Sequence, residues 1–104
     1  IVPSQALFMM NSPMVFDSAK SLAATVLSQT SSDPSADLSP AIHAVFERLF
    51  ARRAEPLEIE RSMKFLQETD QLLVSVPDAT ERRLQVWSAL CRSLMASNEF
   101  VYVD

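Results

Sequence analysis

Residues 84–95 read LQVWSALCRSLM. Leu84, Trp87, Leu90, Cys91, Leu94 and Met95 recur at three- and four-residue intervals, the period of one face of an α-helix. A stripe of that length and strength belongs to a helix lying on a core. Asp78 or Thr80 is placed to cap its start.

The same periodicity runs back along the chain. Ser12-Pro13 reads as a cap followed by a first helical position, because proline has no N–H to leave unsatisfied and its φ is already helical. From Pro13 to about Gln29, Phe16, Ala19, Leu22, Ala23, Val26 and Leu27 keep helical spacing. Residues 30–39 (TSSDPSADLS) are polar and carry Pro34, which reads as a surface loop. Ser39-Pro40 repeats the cap signature and opens a helix to about Arg53, with Ile42, Val45, Phe46, Leu49 and Phe50 on one face. Its basic end (Arg48, Arg52, Arg53) suits the negative end of a helix dipole. Glu55-Pro56 opens a helix to about residue 70, its face Ile59, Met63 and Leu66, with Phe65 at its edge. Residues 72–77 read as the end of that helix or an extended link, closed by Pro77. A short apolar run, Ala6 to Met10, precedes Asn11-Ser12-Pro13 and reads as a short leading helix. The expected fold is all-α: four main helices plus that short one, packed as a bundle, in a single domain over 1–104. The helices over 40–53 and 56–70 are expected to form a helical hairpin.

Composition agrees. The chain of 104 residues contains no glycine, which weighs against a β protein rich in tight hairpins. Its net charge of −4 weighs against nucleic-acid and anionic-membrane partners. No run approaches the length of a membrane span. The opening IVPSQALFMMNSP has no signal-peptide pattern and no initiator Met, and reads as the start of a piece of something longer.

Candidate chemistry is sparse. His43, with Glu47 four residues on, is half a metal site at most, since zinc needs three or four ligands. A solvated or capping role fits it better. Cys91 sits on the apolar stripe and reads as a small buried hydrophobe rather than a nucleophile. Without glycine there is no nucleophile elbow and no phosphate-cradling loop. Glu55, Glu58 and Glu60 are explained by the helix dipole, and Arg82-Arg83 reads as a solvated face. Phe8, Met9, Met10, Met14 and Phe16 form a sulfur- and aromatic-rich N-terminal patch. Such a patch is core or an adaptable docking surface.

Two stretches together resemble one family. QALFMMNSP (5–13) and WSALCRSLMASNEFVYVD (87–104) are similar to the two ends of the C-terminal region of a planctomycete family, the domain of unknown function numbered 1553. Its members typically read QALFLMNSPFV at the first and W..LC.ALLNSNEF.YVD at the last. RLFARRAEPLEIE (48–60) stands where the family carries a Gly-containing helix-turn-helix pattern, R.Y..ALGR.PT.EE. Here Ala51 replaces the usual Gly, and Ala54-Glu55 replace Pro-Thr. The likeness extends over nearly the whole chain, and its closing motif is the specific part. The residues that carry it include Asn11, Ser12, Pro13, Arg52, Trp87, Asn98, Glu99, Phe100 and Tyr102.

The resemblance implies a large exported or cell-surface protein, often with a cytochrome c-like, haem-binding domain upstream, and no known activity for this region. Asp104 would be its C-terminus. Phe100 and Tyr102 are expected to pack back toward Leu7–Met10, and Arg52 to pair with Glu99. The expected function is a non-catalytic helical domain completing that larger protein, with no cofactor or metal of its own and the upstream domains as partners. The alternative is an interaction or dimerisation module using Phe8, Met9, Met10 and Met14, and hence a homo-oligomer. An enzyme reading would have to draw on Arg52, Glu55, Glu99 and His43.

Overall fold

In a computed structural model, residues 12–30 and 36–97 are described. They form four helices: α1 (Pro13–Ser28), α2 (Ser39–Phe50), α3 (Pro56–Leu72) and α4 (Ala79–Met95). No strand occurs among the described residues. The all-α bundle is the fold the periodicities predict. The short leading helix and the returning C-terminal tail lie outside the described residues.

Each helix start has its own local cause. Ser12 stands at the N-cap of α1 with extended backbone (φ −76°, ψ 129°), and Pro13 is the first helical residue. The Ser12 side chain makes no capping bond, so the fixed φ of Pro13 is what sets this start. Helix α2 begins at Ser39 itself, one residue earlier than the Ser-cap reading predicts. Leu38 stands at the N-cap with no side-chain bond, and Asp37 before it accepts the Ser39 N–H through Oδ1 at 3.0 Å. That bond, with one from the Ser39 hydroxyl, holds the Asp37 carboxyl below its ordinary range. For α4 the cap is Asp78, which accepts the Thr80 N–H at 3.0 Å. Between α3 and α4, Leu73 ends the helix and the Val76 N–H closes a turn on the Leu73 carbonyl at 3.0 Å. The segment 72–77 is therefore a helix end followed by a turn.

Helix α4 is the centre. Its Val86, Trp87, Leu90, Cys91 and Met95 are buried. Against them lie Ala19, Ala23 and Val26 of α1, Ile42, Val45 and Phe46 of α2, and Leu66 of α3. Ala19 and Ala23 are fully buried, and their small side chains let α1 approach α4 closely. Helices α1 and α4 share the largest contact, followed by α3 and α4. Arg92, near the end of α4, lies over Phe16 near the start of α1, so these two helices run antiparallel. Helices α2 and α3 touch, as the expected hairpin requires, but each is also tied into the assembly through α4. Helices α1 and α3 are not in contact.

Helix α2 stops at Phe50, short of the predicted Arg53. The stop is Ala51, which takes the left-handed conformation (φ 57°, ψ 32°) while its N–H still bonds the Glu47 carbonyl at 3.0 Å. Arg52 and Arg53 therefore lie past the helix, and only Arg48 remains as a basic group in its last turn. A left-handed alanine costs about 1–2 kcal/mol relative to the right-handed region. Glycine avoids that cost but loses about 0.4–1 kcal/mol more entropy on folding. The first term is larger. Ala51→Gly is expected to stabilise the domain by about 0.5–1 kcal/mol. Urea denaturation should show a raised midpoint at unchanged slope; a lowered midpoint would contradict the left-handed cap.

Candidate functional site

Polar side chains converge at one place, the turn between α2 and α3. Arg52 reaches Glu58 in the first turn of α3 with both terminal nitrogens. Nη1 donates to Oε1 at 2.7 Å and Nη2 to Oε2 at 2.9 Å. Nη1 also donates to the Arg53 carbonyl at 3.0 Å. The guanidinium carbon stands 5.6 Å from the ring centroids of both Phe46 and Phe50. Those rings are themselves in tilted contact, with centroids 5.5 Å apart. Glu58 Oε1 also accepts the Glu55 N–H at 2.8 Å, so one carboxylate both clasps Arg52 and caps α3. His43 of α2 closes the turn from the other side, its Nδ1 accepting the Ala54 N–H at 3.1 Å. With Nδ1 as the acceptor, His43 is a capping histidine.

This corner is a structural clasp. The dipole reading of Arg52 gives way to the Glu58 pair, because Ala51 turns the chain out of the helix before Arg52. Glu99, the partner first expected for Arg52, lies outside the described residues. The Glu55-x-x-Glu58 spacing was a legible sign of an N-terminal cap, although the arginine that shares it was not. Arg82 also differs from expectation. Its Nε bonds Asp70 Oδ1 at 3.1 Å, linking the start of α4 to the end of α3.

Catalytic and metal chemistry find little support in this arrangement. Among the described residues no group of three or more His, Cys, Asp or Glu side chains stands where it could hold a metal ion. Asp37, His43, Glu47 and Arg53 border one shallow hollow. Arg53 and Glu47 approach only to 3.9 Å there, and both are mostly exposed. Cys91 is fully buried, and burial pushes its thiol up to about 12, against a smaller opposing pull from Arg92. A protonated, enclosed thiol is a poor nucleophile.

The larger feature is a groove. Because α1 and α3 do not meet, α4 is left as the floor between them. Glu81, Leu84, Gln85, Ser88, Ala89 and Arg92 form that floor at helical spacing. Phe16, Asp17 and Lys20 of α1 make one wall, and Thr69, Leu72 and Leu73 the other. The groove holds about 560 Å³. Its lips are apolar and open: Phe16 is 44% exposed and Leu72 81%. Met14 in the first turn of α1 is 76% exposed. A second hollow of about 540 Å³ lies between α3 and α4 beside Met63, Leu66, Asp70, Arg82 and Trp87. Trp87 is 3% exposed and belongs to the core. Phe8, Met9, Met10 and Asn11 lie outside the described residues. So do Asn98, Phe100 and Tyr102. No helix among the described residues is long and apolar enough to cross a membrane.

Three measurements test this account. Arg52→Ala removes a forked, charge-assisted pair whose side chains are about one-third exposed, which should cost about 1–2 kcal/mol after solvent screening. Arg52→Lys should recover little of it, because an ammonium cannot form the fork. The Arg52 bond holds the Glu58 carboxyl below its ordinary range, with help from the Glu55 N–H and against desolvation. The folded value is depressed, so this contribution is present above the unfolded carboxylate range and fades as pH falls through the folded value. Glu58→Gln should flatten the acid side of the stability–pH curve. An equally steep acid limb in that variant would remove Glu58 from the account. Separately, Cys91 should resist disulfide-exchange reagents at pH 8 in the folded chain and react at once in denaturant. Rapid labelling of the native protein would contradict its burial.

Comparison with known proteins places the chain by sequence. No curated protein and no solved structure matches it. A family model does match, over residues 1–66, more than half of the chain. That span takes in the QALFMMNSP stretch and the whole α2–α3 clasp, Arg52 and Glu58 included. The chain belongs to the family described as PSD1, Protein of unknown function (DUF1553).

Proposed function

We propose that this is a non-catalytic helical domain that completes a larger exported protein and is joined to the rest of it across the α1–α3 groove. The observation that carries the reading is the groove itself, an open apolar surface at the α1 start of a domain whose reactive groups have structural work. His43 closes a turn, Glu58 clasps Arg52, and the Cys91 thiol is enclosed in the core. Exposed large apolar groups gathered on one face mark a contact surface. Export and a cytochrome c-like, haem-binding neighbour elsewhere in the parent chain follow from the resemblance of residues 5–13 and 87–104. No cofactor is assigned to this domain. A homo-oligomer is the second reading, favoured by the exposure of Met14 on α1.

Lysine cross-linking of the parent protein tests both. The chain has two lysines, Lys20 and Lys64. Lys20 lines the groove, while Lys64 is exposed on α3 outside it. Links from Lys20 to upstream residues in the monomeric fraction, with few from Lys64, are the expected result. Links from Lys20 only between two copies would replace this reading with dimerisation. No upstream link from Lys20 would end it.

A further inference from the structure

We infer that the partner of the groove between α1 and α3 is a helix of about three turns, apolar on the face it buries, with an acidic residue in its last turn beside Arg92 and Lys20. The inference rests on the reading above and names the chemistry of the segment that the parent protein would bring to this surface.

Hydrogen bonding calls for a helix. The floor runs along α4 from Glu81 to Arg92, about 16 Å at the α-helical rise. Floor and walls come from helices, whose backbone groups are bonded within themselves. The hydroxyl on the floor, Ser88, already donates to the Leu84 carbonyl at 2.7 Å. The Gln85 amide donates to Glu81 at 3.2 Å. An extended segment laid here would find no ladder to join, and would withdraw its own N–H and C=O groups from water unpaired. A helix satisfies its own backbone. What the groove offers a partner is apolar contact: Phe16 and Leu72 on the lips, with Leu73 and Leu84 half-buried beside them. Apolar residues at helical spacing on one face of the partner meet that surface.

Charge sets the direction. Arg92 lies over Phe16, 4.3 Å from the ring centroid, so the start of α1 marks one end of the groove. Arg92 and Lys20 stand there, and Asp17, one turn before Lys20, offsets only one of the two. Neither cation is ion-paired among the described residues. The Arg82–Asp70 bond joins the start of α4 to the end of α3, so Leu72 and Glu81 mark the opposite end. The groove is thus net positive at its Phe16 end and negative at its Leu72 end. A helix dipole is complementary to that field when its N-terminus lies by Glu81 and its C-terminus by Arg92. The partner then runs parallel to α4 and antiparallel to α1 and α3, as neighbours in a bundle do. An acidic side chain in its last turn meets Arg92 and Lys20, and the flat guanidinium edge left open by stacking suits a carboxylate.

Photo-crosslinking in the parent protein reads spacing, order and charge together. Phe16→benzoylphenylalanine places a probe at one end of the groove and Leu72→benzoylphenylalanine at the other. Both positions are exposed lips, so both variants should fold. The expected result is capture of one upstream segment by both probes, at positions about eleven residues apart, the helical count for the groove's length. The position caught from Leu72 should come first in the sequence, and an Asp or Glu should lie within a turn of the one caught from Phe16. Arg92→Gln should lower the yield from the Phe16 probe about threefold, the value of one partly exposed charge pair. Capture at positions only about five residues apart would mean an extended segment and overturn the inference. So would the reverse order, a captured stretch with no acid at the Phe16 end, or an Arg92→Gln yield equal to the parent's. Each of those results still joins the groove to the rest of the chain, so the proposed function would stand. Capture only between two copies, or no capture upstream, would end both.

Discussion

Helix α4 carries more apolar surface than any one neighbour can cover, and the arrangement of the domain follows from that constraint. Its buried residues, Val86, Trp87, Leu90, Cys91 and Met95, spread around more than one side of the helix. Helix α1 covers one side at close range through Ala19 and Ala23, α3 covers another, and α2 closes the space between through Ile42, Val45 and Phe46. Burying each large apolar side chain is worth about 1.5–3 kcal/mol, so this shared centre outweighs any single polar pair in the structure. It also leaves α1 and α3 apart. The groove is a consequence of the same geometry: two helices on the flanks of a third, with nothing described between them.

That geometry explains which parts of the protein could be read from its residues. The stripe of α4 was legible because a repeat of three and four residues has only one regular backbone that puts it on one face. The starts of α1, α3 and α4 were legible because Pro13, Pro56 and Asp78 act on their immediate neighbours. The end of α2 was not. A left-handed stop normally announces itself as glycine, and here an alanine does the work. The basic residues beyond it looked like a helix terminus, and they extended the predicted helix into what is a turn. The resemblance of residues 48–60 to a Gly-containing family pattern was the one available clue to a stop at Ala51. The groove had no local signature, because Phe16, Leu72 and Leu84 come from three helices and meet only in the fold.

The Arg52 pair shows the same limit from the polar side. Arg52 and Glu58 are six residues apart, a separation that no single helix brings together. They meet because Ala51 reverses the chain and Pro56 starts α3 immediately afterwards. A forked guanidinium beside two aromatic rings seeks a carboxylate, and the distant one expected for it, Glu99, lies outside the described residues. The described partner is the nearer one, which also serves α3 as its cap.

The costs and gains at this turn compensate one another. Ala51 introduces a local strain of about 1–2 kcal/mol by adopting a left-handed backbone with a β-carbon. Hydrogen bonds to charged groups return about 1.5–3 kcal/mol when shielded and less when, as here, the pair is about one-third exposed. The His43–Ala54 bond adds about 1 kcal/mol by satisfying an N–H in the same turn. The terms are of similar size, so the clasp and the His43 bond together about offset the strain. A chain with glycine at 51 would need the clasp less, and one without Arg52 would tolerate Ala51 poorly. The two positions should therefore be energetically coupled, although they share no side-chain contact: the backbone conformation of Ala51 is what delivers the guanidinium to Glu58.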